Sequence, residues 1–263
     1  MNVIAINDLT KKHVEPYVGL NEKQLKRFYE PNEGIFICES KKVIQRAIAA
    51  GYEAESFFVQ EDRIEDISDL IEGAIPVYTA SQSVMDSITG YALTGGVLAA
   101  MRRRSLPAPK DIISGLSKVV ILDDIENPTN VGAIFRSAAG LGAQAILLTP
   151  GCADPLYRRA ARVSMGTVFQ IDWAYTDASF IRQMKDEGFT LMAFSLSDDA
   201  VKLQEAKDQS KKSALVLGNE DHGISTEILS LCDRNVIIPM HNGVDSLNVA
   251  AASAVAFWEI FSI

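Results

Sequence analysis

Cysteine is scarce in this 263-residue chain: Cys38, Cys152 and Cys232 stand far apart and outside any CxxC pair. An odd, scattered set excludes a disulfide framework and a cysteine zinc site, and leaves three reduced thiols. Long apolar runs are missing too, since none nears the roughly 20 residues of a membrane helix. The opening MNVIAINDLTKKH lacks a basic-then-apolar leader, so the cytoplasm is the expected location and no membrane partner is expected. Positive charge is in deficit, with 25 Lys and Arg against 34 Asp and Glu and a net charge of −9. That balance speaks against a broad nucleic-acid face, because phosphate contacts need basic side chains. No GxGxxG turn follows an early strand. Gly140 and Gly142 fall at a helix end, which excludes a dinucleotide-binding dehydrogenase.

What remains is a globular composition, 48% hydrophobic and 22% charged, with enough length for two domains. Ile35–Glu39 is a buried-strand run, followed by helical spacing at Val43, Ile44, Ala47 and Ile48 that Gly51 ends. Ser56–Val59, Ile75–Tyr78 and Gly96–Ala100 are further strands, separated by helical stretches at Ile64–Ile71 and Ser81–Ile88. Residues 1–101 thus make a small α/β domain. The Pro-, Ser- and Arg-rich stretch 102–117 is the expected linker.

From 118 to 263 the alternation is stronger. Val119–Leu122, Ala145–Leu148, Thr190–Phe194, Ala214–Leu217 and Val236–Ile238 read as strands. Helices are expected at Val131–Leu141, Asp177–Glu187, Thr226–Leu231 and Ser246–Phe261. Repeated strand-helix-strand units imply a parallel sheet, whose ligands bind beyond the carboxyl ends of the strands. Three loops there stand out. Glu126–Gly132 leads into a helix carrying Arg136, with Asn130 at the expected N-cap. Leu217–Ser225 is a Gly-Asn turn with Glu220 and Asp221, which repel phosphate and suit a ligand with hydroxyls or positive charge. Ile238–Ala252 is a polar loop before a small-residue helix, with Ser246 as its expected cap and Asn248 in its first turn. His222 and His241 have no partner at ligand spacing, so no metal is expected.

Taken together and in order, these loops resemble one family. Asn130-x-Gly132-x-x-x-Arg136, Gly218-Asn219-Glu220-x-x-Gly223-Ile224-Ser225 and Ile238-Pro239-Met240…Ser246-Leu247-Asn248-Val249-Ala250 look like motifs 1, 2 and 3 of the SpoU (TrmH-type) RNA methyltransferases. The likeness spans about residues 118–263. Residues 1–101 resemble the family's small substrate-binding domain through Gly34–Glu39, although Glu39-Ser40 stands where the family has Glu-Gly.

The resemblance implies a SPOUT fold, an α/β domain whose C-terminal helix is threaded through a deep trefoil knot, and a homodimer. It implies S-adenosylmethionine as cofactor, held by Leu217, Gly218, Asn219, Ile238, Met240, Ser246 and Leu247. It implies methyl transfer to a ribose 2′-hydroxyl of rRNA or tRNA, with rRNA favoured. Arg136 becomes the leading catalytic residue, aided by Asn130, Glu220, Ser246 and Asn248. A guanidinium stays protonated, so Arg136 is expected to orient the hydroxyl and stabilise developing charge rather than act as a base. Alone, the basic clusters Arg102, Arg103, Arg104 and Arg158, Arg159, Arg162 read rather as solvated faces; the resemblance makes them expected RNA contacts. A catalytically inactive knotted RNA-binding protein is the alternative. It predicts damage at Arg136, Glu220, Ser246 or Asn248, and all four are intact.

Overall fold

Short apolar runs alternating with helical spacing build two separate sheets. The structure, a computed structural model, describes residues 2–89, 95–197, 199–206 and 212–261. The first elements are β1 (Asn2–Ala5), α1 (Glu15–Val18), α2 (Glu22–Lys26), β2 (Ile35–Glu39) and α3 (Lys41–Ala49). Then come β3 (Ala54–Gln60), β4 (Pro76–Ala80), α4 (Gln82–Thr89), β5 (Val97–Arg102) and α5 (Pro109–Ile113). β6 (Lys118–Leu122), α6 (Pro128–Gly140), β7 (Ala145–Leu148), α7 (Arg158–Val163) and β8 (Asp172–Tyr175) follow. After α8 (Ala178–Asp186) and β9 (Thr190–Phe194) the chain forms β10 (Val201–Lys202) and β11 (Ser213–Leu217). α9 (Thr226–Leu229), β12 (Arg234–Ile237) and α10 (Val249–Phe261) complete it. Among the described residues no helix is long and apolar enough to cross a membrane.

The chain divides into two compact units. One comprises the residues up to Ser105 together with Leu156–Phe169; the other comprises Leu106–Pro155 and the chain from Gln170 onward. The first holds a mixed sheet in the order β1-β4-β3-β5-β2, with β5 antiparallel to both neighbours. Every residue of β2 is buried, so both faces of that strand are covered. α7 packs against β2. There Arg158 Nε and Arg162 Nη1 donate to the Glu39 carboxylate at 3.0 and 3.2 Å. Glu39 is only 6% exposed, and a carboxylate so placed needs partners to offset its lost hydration. The segment 61–70, expected in part as an α-helix, is a 3-10 helix.

The second unit holds a seven-stranded sheet in the order β10-β12-β9-β11-β6-β7-β8, and every pairing in it is parallel. β6, β7 and β11 are apolar and almost wholly buried. That is what a parallel sheet covered on both faces requires. Leu217 lies opposite Leu122, so the loops leaving β11 and β6 start side by side. β9 lies between β11 and β12, which brings the ends Phe194 and Ile237 to the same edge.

Local details differ from the sequence expectation in three places. The N-cap of α6 is Asn127, whose side chain accepts from Thr129 N at 2.9 Å, and Pro128 occupies the first turn. Asn130 lies inside that helix, 6% exposed. α10 starts at Val249 rather than Ser246, and Asn248 Oδ1 caps it by accepting from Ala250 N at 2.9 Å. The stretch 102–117 contains α5, whose Ile112 and Ile113 belong to the hydrophobic core of the second unit. Pro109 in its first turn and the apolar pair behind it are a helix start that the basic run before them obscured.

Truncating Glu39 removes the shared acceptor of two arginines. Glu39→Ala should destabilise the first unit by about 3 kcal/mol, the low end for a broken buried pair, because Arg162 retains solvent access. Urea unfolding followed by tryptophan-independent circular dichroism measures it; a loss below about 0.5 kcal/mol would show that the pair contributes little.

Candidate active site

The loops after β11 and β12 enclose, with the end of β9, a crevice of about 560 Å³. Leu217, Gly218 and Asn219 line it from β11, Ile238 and Met240 from β12, and Ser246 and Leu247 from the approach to α10. Glu220 and Asn248 line it as well. All seven residues expected around a cofactor therefore share one cavity.

The β11 loop owes its shape to backbone geometry. Asn219 and Gly223 exchange two backbone hydrogen bonds of 2.9 Å, closing a tight turn. A Cβ on Gly218 would overlap the backbone of Gly223 and Ile224, so only glycine allows that closure. Gly223 has φ +70, a left-handed value that suits glycine. The Asn219 side chain locks the interior: its Oδ1 accepts from Asp221 N at 2.8 Å and from His222 N at 3.3 Å. Ser225 stands at the N-cap of α9, but its side chain makes no capping bond. In the third loop, Asn242 and Gly243 both adopt left-handed backbone (φ 59 and 71), which turns the chain back toward α10.

The cavity carries a distinctive charge. Glu220, Asp221 and Asp245 line it, and among the described residues no Lys or Arg does. Such a wall attracts a cation and repels phosphate.

The expected catalytic residues fall into two groups. Asn248 Nδ2 donates to Asn130 Oδ1 at 3.2 Å, tying the start of α10 to α6. Arg136 is exposed on α6 and is not among the residues lining the crevice. It forms no ion pair among the described residues, so its guanidinium is available to a ligand.

The six arginines expected on RNA belong to the first unit, where most have internal partners. Arg103 is 8% exposed, donates from Nε to Ile35 O at 3.2 Å and lies over the Phe36 ring. Its position serves packing, which corrects its expected place on an RNA face. Arg158 and Arg162 hold Glu39. Arg102 pairs with Glu55 at 2.8 Å yet keeps 59% of its side chain exposed. Arg104 is exposed and stacks over Tyr52, its guanidinium carbon 4.1 Å from the ring centroid, and Arg159 is exposed.

Sequence reasoning missed the wall formed by Phe194, Ser195 and Leu196. Leu196 is 74% exposed at that wall. Only the order of strands reveals it, because β9 must be known to sit between β11 and β12. The cysteines are all free. Burial pushes the Cys152 thiol up to about 11 and the Cys232 thiol up to about 12, so both are neutral near pH 7. Among the described residues no group of three or more His, Cys, Asp or Glu could hold a metal ion.

With this geometry in place, likeness to known proteins becomes specific. The SpoU rRNA Methylase family model matches residues 117–258, more than half of the chain. An uncharacterized tRNA/rRNA methyltransferase of Mycobacterium bovis is 35% identical over 264 residues, covering 98% of this chain and 92% of the relative. The 23S rRNA (guanosine(2553)-2'-O)-methyltransferase of Bacillus subtilis is 27% identical, covering 95% and 99%. Among solved structures, the AdoMet-bound rRNA methyltransferase from Sinorhizobium meliloti superposes with a TM-score of 0.83 at 26% identity, covering 98% and 97%. The chain belongs to the SpoU rRNA methylase family.

Proposed function

We infer that this protein is an S-adenosylmethionine-dependent RNA methyltransferase that modifies a ribose 2′-hydroxyl, with rRNA as the favoured substrate. The observation that carries the reading is the crevice at the strand ends: three carboxylates, no Lys or Arg among the described residues, and a glycine-closed wall of backbone groups. That wall fits a sulfonium cofactor and disfavours one bearing phosphates. The 2′-O-methyltransferase activities for which relatives are named support the same choice, as does the AdoMet-bound structure among the neighbours.

Leu217, Gly218, Asn219, Ile238, Met240, Ser246 and Leu247 would hold the cofactor, with Leu196 as an added apolar contact. When bound, S-adenosylmethionine supplies an activated methyl group on a positively charged sulfur. The protein's task is then to orient the ribose hydroxyl and to steady the negative charge that grows on its oxygen. Arg136 does this as a permanent cation on an anchored helix. Glu220 orients the ribose or the guanidinium, and the Asn130–Asn248 bond holds α6 and α10 together beside the site. No step asks Arg136 to give up its proton.

Further assignments rest on the family fold. α10 packs on α6, and we place it in a trefoil knot. Val255 and Trp258 are 43% and 65% exposed on one side of α10, an apolar surface suited to a homodimer interface. Residues 1–101 serve as the substrate-binding domain, the stretch 102–117 connects it, and Arg102, Arg104 and Arg159, the exposed members of the two clusters, meet phosphate.

Arg136→Ala is expected to lower kcat on RNA by 10²- to 10³-fold, typical of one lost oxyanion donor, with calorimetric affinity for S-adenosylmethionine within about twofold of wild type. Equal loss of both would move Arg136 into the cofactor shell. Gly218→Ala gives the opposite pattern, losing cofactor binding first. RNA affinity should fall linearly on a log–log plot against salt, and replacing Arg102, Arg104 and Arg159 by Gln should reduce that slope by about one unit per true contact. Incubation with labelled S-adenosylmethionine and RNA lacking this modification tests the whole reading. Label on a base, on protein or nowhere overturns it.

A further inference from the structure

The β11 loop is fastened from outside by two residues that none of the three motifs contains. Asp123 and Asp124 immediately follow β6. Asp123 is 2% exposed, and its Oδ2 accepts from Ser225 N at 2.7 Å. Asp124 O accepts from Asn219 Nδ2 at 2.8 Å. The two bonds grip the crevice loop at its beginning and its end. Asp123 N also donates to Leu217 O at 2.9 Å, which extends the β6–β11 pairing to the point where the loop begins.

The gripping segment is itself built for its position. Asp124 has φ 53, a left-handed conformation uncommon outside glycine. Its amide donates to Thr149 Oγ1 at 2.9 Å, and the Thr149 hydroxyl donates back to Asp124 Oδ1 at 3.0 Å. A side chain on Gly151 would overlap the Asp124 carboxylate. Next along the chain, Ile125 N donates to Cys152 Sγ at 3.3 Å. Strain of this kind persists only where surrounding bonds over-determine it. The same short segment ends at Asn127, the cap of the helix that carries Arg136.

A buried carboxylate spent on one backbone N–H is costly unless the position of that N–H matters. The Ser225 N–H lies next to Ile224, which lines the crevice, while Ser225 itself does not line it. We propose that Asp123 is a positioning residue for the cofactor: its carboxylate fixes Ser225, and through it the Gly218–Ile224 wall, in the shape that binds S-adenosylmethionine. The proposal rests on the cofactor reading above and adds a residue to it. Asp123 does not itself line the crevice. Asp124, through Asn219, fixes the other end of the same wall.

The bond can be cut from both sides. Asp123→Ala removes the acceptor. Ser225→Pro removes the donor, and Ser225 already has φ −57, which proline adopts. Each should weaken S-adenosylmethionine binding, measured by calorimetry on the whole protein, by roughly 10- to 100-fold, the range for one charge-assisted hydrogen bond. RNA KM should stay within about threefold. The double variant should be no worse than the weaker single variant, because both remove one interaction. Asp123→Asn, whose amide oxygen can still accept, should restore most of the affinity and keeps the test open if the alanine variant does not fold. Wild-type affinity in Asp123→Ala, additive losses in the double variant, or no recovery in Asp123→Asn overturns the proposal. A wild-type protein that binds no S-adenosylmethionine overturns the cofactor reading along with it, so the two failures are distinguishable.

Discussion

Parallel pairing of β11 with β6, in the register that sets Leu217 opposite Leu122, is the constraint on which the rest of the second unit depends. Both strands are continuous apolar runs and can exist only with both faces covered. Because they end level with each other, Asp123 follows one strand where Gly218 follows the other. A slip of one residue would turn every side chain of β11 to the opposite face and carry the Asp123–Ser225 bond out of reach. β9 and β12 then extend the same edge. The crevice is therefore a consequence of register, and its lining residues come from segments far apart in sequence.

That origin explains which parts were legible in the sequence. Ala145–Leu148 and Thr190–Phe194 fall where hydrophobic patterning places them, because central parallel strands are short unbroken apolar runs. β8 escaped notice: Asp172–Tyr175 carries an exposed Asp at its start and sits at the sheet edge, so its pattern is too brief to stand out. The cap of α6 was assigned to Asn130 because Asn-Pro-Thr-Asn offers two asparagines to the same turn. Proline at the second place in that string decides for Asn127, since proline fits the first helical position. Asn130 is thereby released from capping to meet Asn248.

Non-local contacts were the least legible. The placement of Leu156–Phe169 with the first unit depends on Glu39, more than a hundred residues upstream, accepting from Arg158 and Arg162. In the sequence these arginines are a basic cluster and nothing more. Their pattern cannot distinguish an arginine waiting for phosphate from one that already has a carboxylate. The same ambiguity covered Arg103, whose buried guanidinium lies over Phe36. The motif loops, by contrast, were legible as loops because glycine and asparagine recur there without any helical or strand period. Their common cavity was legible only through family resemblance.

The distribution of charge now has a physical account. An acidic protein that works on RNA has to keep its carboxylates away from phosphate, and several of them are committed internally. Glu39 and Glu55 are held by arginines, and Asp123 is buried on a backbone amide. Glu220, Asp221 and Asp245 are concentrated around one crevice, which among the described residues no Lys or Arg lines. With the cofactor seated there as proposed, this arrangement favours the cationic form over its neutral thioether product. A positively charged sulfur is attracted to the wall, and once the methyl group has left that attraction is gone. Discrimination of this kind needs only uncompensated carboxylates, which is why the absence of Lys and Arg from the lining matters as much as the residues that are there. Arg136 stands outside the lining on α6, so in the mechanism proposed above its charge acts on the ribose oxygen without cancelling the field that selects the cofactor.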